Sequence, residues 1–171
     1  ELLSDGTAKR GSKQVSDAAE EYGGAIVASA GPDGVTLESY CLSEAAQRMF
    51  ALLAEVAMTP SFPQAEVVLR RKNMLEELNI SRGEPDFLAS VAFFKKLYAG
   101  HPYAVTAPTE PSIARIDRKS LVAAHRLLFT PKSAVLVVTG DITKGQAQSY
   151  LKKYLGAWKG KAGPADVPAV K

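Results

Sequence analysis

Glu77 is the residue whose placement invites chemistry. It lies near the end of the stretch TPSFPQAEVVLRRKNMLEELNISRGEP, residues 59–85, whose Thr-Pro and Phe-Pro steps favour extended backbone and whose Gly83 and Pro85 close it. The roughly twenty residues between predict one long helix. Val67, Val68, Met74, Leu75 and Leu78 share one apolar arc, the face that would pack on a sheet. Glu77 sits off that arc, beside Asn73 and Arg70 one and two turns earlier, where a carboxylate could face a cleft. The same spacing also describes a surface acid paired with Arg70 or simply solvated, and spacing alone favours that plainer reading.

Other chemistry-bearing side chains are sparse. His101 and His125 stand 24 residues apart with no metal-ligand partner at helical spacing, so local sequence draws no zinc site. His125 reads as a packing histidine on the apolar side of a helix. Neither a Gly-rich phosphate loop, nor Cys-x-x-Cys, nor a nucleophile elbow is present. Asn79-Ile80-Ser81 matches a glycosylation triplet but lies in the long helix, where a chance match is the simpler account. Cys41 is the only cysteine, which excludes an intrachain disulfide and leaves the compartment open, periplasm or cytoplasm.

Composition bounds the rest. The 171 residues are 46% hydrophobic and 23% charged, an ordinary balance for one domain or a little more. The net charge of +3 comes from 21 basic residues scattered among 18 acidic ones. The one tight basic run, Arg70-Arg71-Lys72, is followed at once by Glu76 and Glu77, which makes it a solvated helix face and argues against nucleic acid. No apolar run reaches transmembrane length, so no membrane partner is expected.

The elements that would position Glu77 follow in order. Glu1-Leu2-Leu3 before Asp5-Gly6 resembles the last turn of a helix begun upstream, and the chain is expected to be truncated at its N-terminus. Ser12 caps a short helix with Val15, Ala18, Ala19 and Tyr22 on one face, stopped by Gly23. Two β-prone runs around Gly31-Pro32-Asp33-Gly34 predict an antiparallel hairpin, whose buried face the imperfect alternation of Val35, Leu37 and Tyr40 leaves open. Ser43 opens a second helix with Met49 and Phe50 in the core. After the long helix come a helix over residues 86–99, a helical turn near Ser112, and a helix capped by Asp117 with Leu121, Ala124, His125 and Leu128 inward. Residues 133–139 are the best strand, an unbroken apolar run of sheet-interior type. A last helix, capped by Thr143, ends at Gly156. Residues 159–171 have linker composition, leaving 1–158 as the domain. The order predicts an α+β fold, an antiparallel sheet with helices packed on one face, and its three visible strands again suggest that others precede Glu1.

Seven pieces of this sequence carry a resemblance. They are Gly6-Thr7 with Arg10, Gly23-Gly24 before a hairpin, Leu42-Ser43, Pro60-Ser61-Phe62-Pro63, Met74-Leu75-Glu76-Glu77-Leu78, Leu97-Tyr98 with His101-Pro102-Tyr103, and Val137-Val138-Thr139-Gly140-Asp141. In this order the chain, from Glu1 to about Trp158, resembles a repeat domain of the pitrilysin/insulinase family of zinc metallopeptidases, on the mitochondrial processing peptidase pattern. The resemblance implies a clamshell of two halves around a chamber for unfolded peptide. In active members zinc is held by the histidines of an His-x-x-Glu-His helix and a distal glutamate, the motif's own Glu activating the bound water.

Carried onto this chain, the distal glutamate falls on Glu77 and the second histidine on Glu1. The first histidine and the motif glutamate would lie upstream. A lone carboxylate cannot hold a catalytic zinc, which needs three protein ligands. Val27 stands where active members usually carry Asn, and Arg70, where they often have an acid, would repel a metal and pair with Glu77. The resemblance therefore implies no catalytic residue, metal or cofactor in this chain, zinc being confined to active relatives. The expected role is a silent domain forming chamber wall and interface. Its partners would be a second domain of the same protein, an active peptidase subunit and unfolded peptides, with self-association through an exposed sheet edge. Two alternatives stay open: a fragment of an active peptidase whose motif lies upstream, and an unrelated basic binding module.

Overall fold

The computed structural model describes residues 2–160. The chain opens on a turn that seats Leu3 in the core. Thr7 then closes a tight loop, its N–H donating to the Arg10 carbonyl at 2.8 Å while its Oγ1 accepts from the N–H groups of Lys9 and Arg10. Helix α1, Ser12–Glu21, follows. Its N-cap is Gly11 rather than Ser12, because the Gln14 side chain reaches back to accept from the Gly11 N–H at 2.9 Å. The helix ends through Gly23 in the left-handed region at φ +68°, and Gly24 passes so close to Tyr40 that a Cβ on it would lie 1.6 Å from the Tyr40 carbonyl oxygen.

Strands β1, Ala25–Gly31, and β2, Gly34–Tyr40, form the expected antiparallel hairpin, paired from Ala25 opposite Tyr40 to Gly31 opposite Gly34 around a Pro32-Asp33 turn. The register resolves which face is buried. Ile26, Ala28 and Leu37 point inward to the core while Val27 and Tyr40 point to solvent.

A 3-10 turn over Ser43–Ala45 leads into α2, Ala46–Met58, which is apolar nearly all round, with Met49, Phe50, Leu52 and Val56 buried. Both α1 and α2 pack on the hairpin. Helix α3, Gln64–Ser81, starts after Phe62, a buried residue held at φ +46°, and buries Val67 and Leu78. Val68, expected on the packed face, is 54% exposed. The buried stripe runs along residues 67, 71, 74 and 78, and a residue one position off it is rotated 100° away. Helix α4, Pro85–Leu97, buries nothing fully.

Helix α5, Glu110–Ala114, is short but fixed by Ile113, which is wholly buried and stabilises by about 2–3 kcal/mol. Asp117 caps α6, Arg118–Leu128, accepting from the Ser120 N–H at 2.7 Å, a bond that holds the Asp117 carboxyl below its ordinary range. Leu121, Val122 and Phe129 join the core, whereas Ala124 and Leu128, expected inward, are exposed, Leu128 by 58%. The packed stripe centres on Val122, His125 and Phe129, which leaves Leu128 at its edge. Helix α7, Lys144–Leu155, is capped by Thr143 and Gln146 and ends at Gly156 as expected, with Tyr150 edge-on to Phe50 of α2 at 5.5 Å.

The architecture is α+β, helices over one face of an antiparallel sheet. One expected strand is not formed. Residues 133–139 do not pair, and the sheet among the described residues has two strands, because no described segment runs alongside to exchange backbone hydrogen bonds. Residues 161–171, most of the expected linker, lie outside the described residues.

The loop at Thr7 is tied to the helices by Glu55 of α2, whose carboxylate accepts from Thr7 Oγ1 and from Arg10 Nη1 with only 11% of its side chain exposed. Glu55→Ala leaves the Thr7 hydroxyl and the Arg10 guanidinium without their acceptor. It is expected to lower stability by about 2–3 kcal/mol in urea unfolding, and a loss below about 0.5 kcal/mol would show the clamp to be ornamental.

Candidate functional site

Helix α3 carries Glu77 in its last third because the stripe through Val67 and Leu78 faces the core and turns residue 77 outward. The Glu77 side chain is 59% exposed, and its Oε1 accepts from Arg70 Nη1 at 3.3 Å, two helical turns back. The plainer reading of the sequence, an acid paired seven residues back, is what the geometry contains. One turn round the helix the exposed Lys72 pairs with Glu76 at 3.8 Å, whereas Arg71 lies on the buried stripe, so only part of the basic run is the solvated face expected. Arg71 points the other way, near enough to Asp117 to help hold that carboxyl ionised. Arg82, just past the end of α3, is ion-paired with Glu110 of α5, which ties the two helices together beside the Glu77 end.

The two histidines are held in separate local structures. His101 precedes a 3-10 turn over Pro102–Ala104, its Nδ1 accepting from the Tyr103 N–H at 3.2 Å. His125 lies on α6 and donates from Nε2 to the Ala57 carbonyl at 2.8 Å, its ring stacked on Phe129 at 4.9 Å and edge-on to Phe62. It is the packing histidine that its place in the sequence suggested. Cys41 follows β2, half-buried, and that burial pushes its thiol up from the ordinary value. Among the described residues no three His, Cys, Asp or Glu side chains converge. Glu1 lies outside the described residues. Among the described residues no helix is long and apolar enough to cross a membrane.

Two features escaped the sequence reading. Phe94, Tyr98, His101 and Tyr103 form a run of ring contacts leading off the end of α4, and the Tyr103 hydroxyl donates to Asp33 in the hairpin turn. The aromatic spacing was visible, but the acceptor lies 70 residues away in sequence. His125, Phe129 and Trp158 wall a cleft of about 300 Å³, and the Trp158 Nε1 donates to the Phe129 carbonyl at 3.2 Å. Trp158 comes from beyond α7, so no local pattern pointed to it.

The exposure of Glu77 makes the Arg70 pair a weak contributor to stability. Glu77→Ala is expected to change the unfolding free energy by less than about 1 kcal/mol, measured in urea, and a loss above about 2 kcal/mol would mean that the carboxylate is buried after all.

Residues 1–106 match the family model described as insulinase (peptidase family M16), and residues 115–171 match the model described as the peptidase M16 inactive domain. Among curated proteins, an uncharacterized zinc protease of Mycobacterium leprae is 22% identical over 91% of this chain and 35% of its own length. An uncharacterized zinc protease of Rickettsia felis is 27% identical over 90% of this chain and 38% of its own. Among solved structures, the peptidase M16 inactive domain from Pseudomonas fluorescens superposes with a TM-score of 0.90 at 24% identity, over 99% of this chain and 42% of that one. The first half of the periplasmic protease PqqL from Escherichia coli gives 0.83 at 20% identity, over 99% and 38%. The chain thus spans about two fifths of the length of these relatives. With the fold shared across its described length and one family model matching more than half of it, the chain belongs to peptidase family M16, the insulinase family.

Proposed function

We propose that this chain is a catalytically silent part of a larger M16 peptidase, forming the wall of a peptide-binding chamber and an interface with an active partner. The observation that carries the reading is the Arg70–Glu77 pair. Glu77 occupies the position that the family resemblance gives to the distal zinc ligand, and a guanidinium takes the place where a divalent cation would have to approach. The residues described do not fit a zinc site, which needs three protein ligands. Glu77 is the one candidate, and the imidazoles are engaged elsewhere with Tyr103 and Ala57. Val27, at the position where the resemblance expects Asn, is on the outward face of β1 and 54% exposed, so it offers apolar surface in place of an amide. The match to an inactive-domain model and the fold of the Pseudomonas fluorescens protein support the same reading.

A second reading is favoured by a different observation. Residues 1–106 match the insulinase model, and the curated relatives are named zinc proteases. On that reading a His-x-x-Glu-His helix outside residues 1–171 supplies the missing ligands, and Glu77 turns away from Arg70 to join them.

A quenched-fluorescent unfolded peptide separates the two when it is incubated with residues 1–171 and one equivalent of Zn²⁺, and with the longer gene product. The silent reading expects saturable binding by anisotropy from both proteins, no hydrolysis above the buffer blank from residues 1–171, and any hydrolysis by the longer gene product unchanged in Glu77→Gln. Hydrolysis that Glu77→Gln abolishes would overturn it.

A further inference from the structure

The cleft beside His125 is apolar within and cationic at its mouth. Met58 of α2, Phe62 before α3, Val122 of α6, and Phe129 and Trp158 from the chain just beyond α6 and α7 wall it. Arg126 and Lys159 line it too, both exposed, and no Asp or Glu does so among the described residues. Within the same residues neither cation forms an ion pair. Two positive charges therefore stand at one opening without a counter-charge.

The walls are fixed by the protein's own hydrogen bonds. The Trp158 backbone N–H donates to the Leu155 carbonyl at 2.9 Å and its Nε1 to the Phe129 carbonyl at 3.2 Å, while His125 Nε2 donates to the Ala57 carbonyl at 2.8 Å. Phe62, buried at φ +46°, meets the His125 ring edge-on at 6.0 Å. These bonds also set the sign of the opening. The ends of α2 and α6 converge here, and unanswered carbonyls at a helix C-terminus favour a cation. The Ala57 and Phe129 carbonyls are already answered, by His125 and Trp158, which leaves the charge of Arg126 and Lys159 to select an anion.

We propose that this cleft binds the free C-terminal residue of a peptide, with its apolar side chain between Phe129 and Trp158 and its α-carboxylate on Arg126 and Lys159. A volume of about 300 Å³ lies at the small end of ligand pockets, with room for one large apolar side chain and its carboxylate but not for a nucleotide or a long acyl chain. A guanidinium offers a carboxylate two parallel hydrogen bonds, and an ammonium adds a point charge. A side chain alone, or a carboxylate alone, would use half of the site. This inference rests on the cleft and is independent of how Glu77 is read.

Trp158 is the only tryptophan of the chain, so its emission reports occupancy directly. Residues 1–171 titrated with an acetylated tetrapeptide, three alanines and a C-terminal leucine, are expected to give a saturable change in that emission with a Kd of about 10–300 μM. The same peptide as its C-terminal amide is expected to bind at least about 10-fold more weakly. Arg126→Gln and Lys159→Gln, both at exposed positions, are each expected to weaken the acid about 3-fold or more and leave the amide unchanged, with the Tm within about 1 °C of the natural sequence. Equal binding of acid and amide, binding of the acid that neither substitution weakens, or no change in emission up to about 2 mM peptide would overturn the proposal. Isocaproate, which has the leucine side chain and carboxylate without the peptide bond, would overturn it in favour of a free small acid by binding as tightly as the peptide.

Discussion

The carboxylate of Glu55 is the constraint on which the placement of everything downstream depends. It is a nearly buried anion in a mostly apolar helix, a costly arrangement unless its lone pairs are filled. Thr7 and Arg10 fill them, and in doing so they fold the first loop of the chain onto the end of α2. The loop in turn organises the approach to α3. The Ala8 N–H donates to the Thr59 carbonyl at 2.8 Å and the Ser61 N–H to the Gly6 carbonyl at 3.0 Å. Gly6 sits at φ +144°, where a Cβ would lie 2.9 Å from Ser61 Oγ, so the close approach requires glycine. The direction in which α3 leaves, and hence the side on which Glu77 emerges, follows from a clamp formed far from it in sequence.

What α3 presents there is a face of ion pairs. Arg70 with Glu77 and Lys72 with Glu76 make a surface whose charges are answered within the helix, while Arg82 answers Glu110 across to α5. Such a face needs no counter-ion and offers no excess negative charge to a divalent cation. Membership of peptidase family M16 supplies the setting in which that matters, because the family resemblance gives position 77 to a metal ligand. On the proposed reading, the residue two turns back decides whether that carboxylate serves as a ligand or as the partner of a guanidinium.

Much of this was legible in the sequence because it is written locally. The hairpin turn, the Asp117 and Thr143 caps, the Gly23 and Gly156 stops and the periodicity of α2 each depend on residues within a few positions of one another. The packing details were less so. A helical wheel gave α3 a broad apolar arc and α6 an inward Leu128, but the neighbours available in space select narrower stripes, and Val68 and Leu128 fall outside them. Residues 133–139 mark the sharpest limit. Their composition is that of a strand, yet a strand is a relation between two segments, and composition cannot say whether the second is present. The Glu55 clamp was illegible for a similar reason, since Thr7 and Arg10 lie more than 40 residues from their acceptor and no motif joins them.

Calorimetric titration of Zn²⁺ into residues 1–171, with Glu77→Gln alongside, reports which partner Glu77 keeps. If the carboxylate belongs to Arg70, the two proteins give the same featureless titration, with no site tighter than about 10 μM. One equivalent of Zn²⁺ bound below about 1 μM by the natural sequence and lost in Glu77→Gln would contradict the account.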